Sequence, residues 1–168
     1  MTPAARPDEQ ASWLERLRNP GERDPGGIER DLRWLEGPGR TLVAVDDPRY
    51  PAQLAAVPGS PPALFVEGDP ALLSRPQIAI VGSRAATAAG RETAFEFAAS
   101  LAAQGFAITS GLAVGIDAAA HRGALAASGV TIAVCGTGLD RVYPAEHHEL
   151  AGRIAAAGAL VSEFPTGT

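Results

Sequence analysis

The sequence predicts an α/β fold in which a parallel sheet lies between helices, preceded by a short helical N-terminal segment. Three observations carry that expectation. From residue 63 onward, strand-like apolar runs alternate with stretches long enough for helices, the order of a βαβ protein. The strand candidates are short unbroken apolar runs, which suit strands buried on both faces and joined by right-handed crossovers. The connecting stretches are rich in alanine: 26 of the 34 alanines fall in residues 71–168, so these helices can approach the sheet closely.

Along the chain, residues 11–18 place Trp13, Leu14 and Leu17 at helical spacing before the breakers Asn19, Pro20 and Gly21. A second short helix is expected over 28–36, ended by Gly37-Pro38-Gly39. Residues 41–45 read as a strand, 46–48 as a turn and 50–57 as a short apolar stretch, and prolines 58, 61 and 62 make a connector. Strands follow at 63–66, 77–81, 106–109, 130–135 and 159–161, and helices at 88–104, 116–128 and 145–157. In the first of these helices, Phe95, Ala98, Ala99, Leu101 and Ala102 share a face. We divide the chain into a helical N-terminal segment, 1–48, expected to pack on the rest or stay partly mobile, and an α/β core, 49–168.

Charge and composition limit the function. The chain has 168 residues with a formal net charge of −5, and all 14 positive side chains are Arg. That balance excludes a broad basic surface of the kind that carries non-specific nucleic-acid binding, and leaves room for a local Arg site. The acidity is uneven, with twelve acids against eight Arg in residues 1–70 and seven against six thereafter. A single cysteine, Cys135, excludes an internal disulfide and suits a reducing compartment. The polar start and the lack of a long apolar run lead us to expect a soluble cytoplasmic protein without a signal peptide or membrane span.

In parallel α/β sheets the functional crevice lies at the carboxyl ends of the strands. After residue 81 comes Gly82-Ser83-Arg84; after 109, Ser110-Gly111-Leu112-Ala113-Val114-Gly115; after 135, Gly136-Thr137-Gly138. Glycines admit a ligand close to the backbone, and helix-start amides favour anions, so the shared logic is phosphate binding. Arg84, at a strand end, is either a bidentate phosphate ligand or an ordinary surface arginine. The 110–115 loop serves a phosphate or only a tight strand-to-helix turn. Asp117 and His121, four apart on one helix, are a metal pair, an acid/base pair, or a helix-start carboxylate beside a structural histidine. No third ligand stands at a familiar metal spacing, and no Gly-x-Ser-x-Gly elbow supports a Ser110–His121–Asp triad, so we expect neither a metal nor a catalytic residue. His147 and His148 read as a solvated helix start. Gly136-x-Gly138 falls short of a dinucleotide fingerprint because Arg141 occupies the third glycine position, and no cofactor is expected. Tyr143, before Pro144, either stacks on a base or caps the core. Cys135 reads as a small buried apolar residue.

Together the segments Ile80-Val81-Gly82-Ser83-Arg84, Ser110-Gly111-Leu112-Ala113-x-Gly115-Ile116-Asp117-x-x-Ala120-His121, Gly136-x-Gly138-Leu139-Asp140-x-x-Tyr143-Pro144 and Ser162-Glu163 resemble the DNA-processing protein A (DprA/Smf) family. Tyr50-Pro51 and Pro61-Pro62-Ala63-Leu64-Phe65 match its lead-in, so the likeness runs over about residues 50–168. The resemblance implies a Rossmann-like domain that binds single-stranded DNA, protects incoming strands and helps load the RecA recombinase during natural transformation, as a binding factor and not an enzyme. It puts Arg84 on backbone phosphate, with Gly82, Ser83, Ser110, Gly111, Gly115, Gly136 and Gly138 around the same strand and Asp117 and His121 shaping the pocket. Members of the family continue into a Phe-Pro-x-Arg-Asn-Arg motif, further strands and dimerisation elements, whereas this sequence stops at Thr168. We therefore expect exposed sheet edge and apolar surface, either self-association or compensating contacts between chains, and weaker DNA binding than a longer relative shows. The competing function is a nucleotide-processing enzyme of the phosphoribohydrolase ("lysine decarboxylase-like") group, whose Pro-Gly-Gly-x-Gly-Thr motif the sequence lacks.

Overall fold

The computed structural model describes residues 25–168. The helix expected over 11–18 lies outside the described residues. Helix α1 (Pro25–Leu35) opens on proline, whose fixed φ suits a first helical position, and ends before Gly39 at φ +70°. Its Trp34 is buried edge-on against Phe65, with centroids 5.9 Å apart, and the Arg40 guanidinium sits 4.9 Å above the Trp34 ring. The described part of the N-terminal segment thus packs on the rest of the protein.

Strand β1 (Arg40–Ala44) runs antiparallel to β2 (Ala63–Gly68), with Leu42 opposite Phe65, and belongs to the same sheet as the strands that follow. Between them, the 50–57 stretch condenses to one helical turn, α2 (Ala52–Ala55), and the Tyr50 hydroxyl donates to Pro61 O at 2.7 Å. A 3₁₀ turn (Pro70–Ser74) capped by Asp69 leads to β3 (Gln77–Ala79). The alternating part then runs α3 (Ala88–Ala103), β4 (Ala107–Ser110), α4 (Ile116–Ala126), β5 (Thr131–Val134), a 3₁₀ turn (Ala145–His147), α5 (His148–Ala157) and β6 (Ala159–Ser162). One six-stranded sheet results, in the order β1-β2-β6-β5-β4-β3; β3, β4, β5 and β6 are mutually parallel, while β2 joins β6 antiparallel.

The expected α/β class is what the chain adopts, with an uneven distribution of helices. Because β3 to β6 stand side by side in chain order, right-handed crossovers carry every intervening helix to the same face. That face buries Ile108, Ala133 and Leu160 beneath alanines 98, 102, 118, 120, 124 and 151 and beside Trp34. The α3–α4 approach is close enough that a methyl on Gly123 would meet Phe95 O at 2.2 Å. The opposite face is covered over β1, β2 and β6 by Tyr50, Leu54 and Leu73. It is open over β3 and at the carboxyl end of β5, with Val81, just past β3, 71% and Val134 51% exposed. Burial on both faces, expected of every strand, therefore fails at β3, an edge strand whose other side has no partner among the described residues. Phe97 of α3 is 63% exposed beside that edge. No helix among the described residues is long and apolar enough to cross a membrane.

Candidate nucleic-acid interface

Loops after β3, β4 and β5 meet at the carboxyl ends of the strands around a crevice of about 430 Å³. It is lined by Arg84, Gly111, Ala113, Val114, Cys135, Gly136, Thr137, Tyr143 and Pro144. The lining therefore holds one cation and no carboxylate. Arg84 is exposed, and no described residue pairs with its guanidinium. The amides of Gly136 and Thr137 carry no hydrogen bond among the described residues. A methyl on Gly136 would meet nothing within 4 Å, so no internal packing demands glycine there.

The other glycines of the three loops have internal work. Gly115, at φ +85°, lies so close under the first loop that a methyl on it would sit 2.3 Å from Ser83 O and 2.7 Å from Arg84 O. The Ile116 amide donates to Ser83 O at 3.2 Å, and Gly82 rests on the Ile116 side chain. The start of α4 thus holds the Arg84 loop from below. Ser83 Oγ accepts the Ala85 amide, which tightens the loop locally. Ser110 is buried, its hydroxyl donating to Ile80 O at 2.6 Å and tying β4 to the end of β3. Gly138 is packed against Pro165 O, which a methyl would approach to 2.4 Å.

Asp117 and His121 share a helix and are both buried, yet they face different neighbours. Asp117 Oδ2 accepts the Ala113 amide at 3.3 Å and would lie 2.8 Å from a methyl on Gly111, so it braces the second loop from beneath. His121 is fully buried behind the crevice. The Thr131 hydroxyl donates to Ile108 O at 2.8 Å, so the 2.7 Å contact with His121 is Nδ1–H donating to Thr131 Oγ1. Its Nε2 has no partner among the described residues. Burial above all, and then the neighbouring His147, lower its pKa to about 4, so the ring is neutral at pH 7. No group of three His, Cys, Asp or Glu among the described residues could hold a metal ion.

His147 corrects the expectation of a solvated helix start: it is 3% exposed, and its Nδ1–H donates to Leu112 O at 2.8 Å. That bond steadies Leu112, whose φ is +62°, at the bend of the second loop. The only sequence signal for this role is the proximity of His147 to the Tyr143-Pro144 loop, since nothing in spacing distinguishes it from the exposed His148. Tyr143 stands 69% exposed on the rim, after which comes a cis Tyr143–Pro144 bond. Cys135, half-buried in the crevice wall, has its thiol pushed up to about 11 by burial, which makes it a poor nucleophile at neutral pH.

A profile of the DNA recombination-mediator protein A family matches residues 41–168. Protein Smf of Escherichia coli K12 is 48% identical over 139 residues, covering 82% of this chain and 37% of that protein. The X-ray structure of DNA processing protein A from Streptococcus pneumoniae superposes with a TM-score of 0.76 at 34% identity, over 94% of this chain and 52% of that one. DNA processing protein A from Helicobacter pylori, solved for its single-stranded DNA binding mode, gives a TM-score of 0.64 at 32% identity over 70% of this chain and 54% of its own. The chain thus spans little more than a third of the Escherichia coli protein and about half of each solved chain.

Proposed function

The chain belongs to the DNA recombination-mediator protein A family, and on that footing we propose that its crevice holds the phosphodiester backbone of single-stranded DNA. One observation carries the assignment to this site: an unpaired Arg84 guanidinium and the free Gly136 and Thr137 amides line one crevice that contains no carboxylate. Guanidinium and backbone amides are donors only, and an anion with several oxygens, such as a phosphodiester, satisfies them together. None of these groups reads a base edge, so binding is independent of sequence.

The protein acts in this reading as a cytoplasmic binding factor and not an enzyme, protecting incoming strands in natural transformation and helping RecA assemble on them. The likeness to the Helicobacter pylori protein, solved for its single-stranded DNA binding mode, supports the DNA part. Fluorescence anisotropy with a labelled oligonucleotide tests it: single strands bind more tightly than the duplex, and affinity falls as salt rises. Arg84→Ala lowers the slope of log affinity against log salt by about 0.7, the share of one phosphate on a single strand, and weakens all sequences alike. Unchanged binding by that variant removes Arg84 from the site. RecA assembly on a strand already covered by a single-strand-binding protein, measured with and without the chain, tests the loading role.

A further inference from the structure

The third crevice loop is not held by the sheet alone. Ser162, at the end of β6, donates its hydroxyl to Thr137 O at 2.7 Å and accepts the Phe164 amide. The segment beyond it then doubles along the loop: the Gly167 amide donates to Asp140 Oδ1 at 3.0 Å and the Gly138 amide to Thr168 O at 3.3 Å. Gly138 has no side chain to keep Pro165 and Thr166 away, and a methyl would lie 2.9 Å from Thr166 Cα. On its far side the segment is fastened to α1. Asp31 Oδ1 accepts both the amide and the hydroxyl of Thr166, at 2.8 and 2.7 Å, across a sequence separation of 135 residues. Thr166 is 6% exposed, so this is a partly desolvated, charge-assisted pair of bonds.

We propose that residues 162–168 are a strap through which Asp31 of α1 positions the Gly136–Thr137 amides, so that a residue outside the crevice sets its affinity for a phosphodiester. The chain of contacts is continuous: Asp31 holds Thr166, its neighbours Pro165 and Gly167 hold Gly138 and Asp140, and Ser162 holds Thr137, the residue whose amide faces the ligand. The N-terminal helix is thereby part of the binding device, and its acidic character at this point is used internally.

For its binding arm the proposal rests on the single-strand reading above; its second arm does not, because Cys135 is the only cysteine of the chain and lies next to Gly136 in the crevice wall. The test uses the full chain with Asp31→Ala, Asp31→Asn, Thr166→Val and, as a control for lost stability, Val43→Ala in a different core cluster. Affinity for a labelled oligothymidylate and the rate at which a disulfide reagent labels Cys135 at pH 8 are measured under native conditions. Asp31→Ala weakens binding about tenfold, on the order of one charge-assisted hydrogen bond, and speeds labelling, and Thr166→Val does both to a smaller degree. Asp31→Asn, which keeps the accepting oxygen, recovers most of both, and Val43→Ala leaves both at the parent values. Labelling of Asp31→Ala and Thr166→Val at the parent rate overturns the strap, as does an equal acceleration by Val43→Ala. A parent chain that binds no oligonucleotide while the thiol rates shift as described keeps the strap and removes the DNA reading.

Discussion

Replacing Gly136 and Gly115 by alanine separates a glycine that serves a ligand from one that serves the fold. At Gly115 the cost is worked from two terms. The backbone is at φ +85°, a conformation that strains a side chain by about 1–3 kcal/mol. The methyl would also stand 2.3 Å from Ser83 O and 2.7 Å from Arg84 O, so the backbone must shift, and overpacking of this kind adds roughly 1–3 kcal/mol. Gly115→Ala therefore loses about 2–6 kcal/mol of stability and displaces Arg84. At Gly136 the methyl meets nothing within 4 Å, so urea or thermal unfolding should change by no more than about 0.5 kcal/mol. Because Gly136 lines the crevice, the methyl on the proposed reading would crowd a phosphodiester approaching the Gly136 and Thr137 amides. Losing one such bond to an ionised acceptor costs about 1.5–3 kcal/mol, or roughly ten- to a hundredfold in affinity by oligonucleotide anisotropy. A Gly136→Ala variant that binds like the parent refutes the placement of the strand at these amides, and one that unfolds as readily as Gly115→Ala refutes the packing argument.

Two further outcomes follow from buried groups. The pKa of His121 is about 4 in the folded chain against 6.5 unfolded, so below pH 6.5 the unfolded chain takes up a proton that the folded one does not. The stability associated with the neutral ring is complete above that pH and is lost as the pH falls towards 4, by about 3 kcal/mol; urea titrations at pH 7 and pH 4.5 measure it, and a His121→Gln variant whose stability falls equally steeply refutes the assignment. Asp117→Asn keeps an oxygen for the Ala113 amide while removing a negative charge beneath the crevice, so oligonucleotide binding at low salt tightens several-fold, and weakened binding by a variant of parent stability counts against that geometry.

Much of this fold is legible because the parallel strands are short apolar runs, the first three of them closed by a glycine loop, and β4, β5 and β6 fall within one or two residues of their expected places. What the runs do not encode is strand order. Val81 and Val134 look like core residues in the sequence, but they face the side of the sheet that sequential right-handed crossovers leave without a helix. The site divides along a similar line. Of the ten residues expected in it, Arg84, Gly111 and Gly136 line the crevice, while Gly82, Ser83, Ser110, Gly115, Asp117, His121 and Gly138 hold its loops or lie behind them. Glycine next to a ligand and glycine under a neighbouring backbone are the same letter, and only the position of the missing Cβ tells them apart. The buried role of His147 depends on the carbonyl of Leu112, 35 residues away, which no local pattern announces.

The crevice also answers how an acidic chain can be built to take a polyanion. Sequence logic assigns the anion to helix-start amides, yet at the start of α4 three of them are spent inside the protein: Ile116 donates to Ser83 O, Ala118 to Ala113 O and Ala119 to Gly115 O. The positive end of the α4 dipole is further offset by Asp117, buried in the first turn. With that end offset, the donors in the lining that have no partner among the described residues include Arg84 on one wall and the Gly136 and Thr137 amides on the other, none of them on α4. The proposed binding site is thus placed by where donors remain free and not by where helices begin. Since the free amides belong to the loop that the 162–168 segment fastens to Asp31, an acid in the most acidic part of the chain works to hold an anion site open, and a net charge of −5 is no contradiction of phosphate binding.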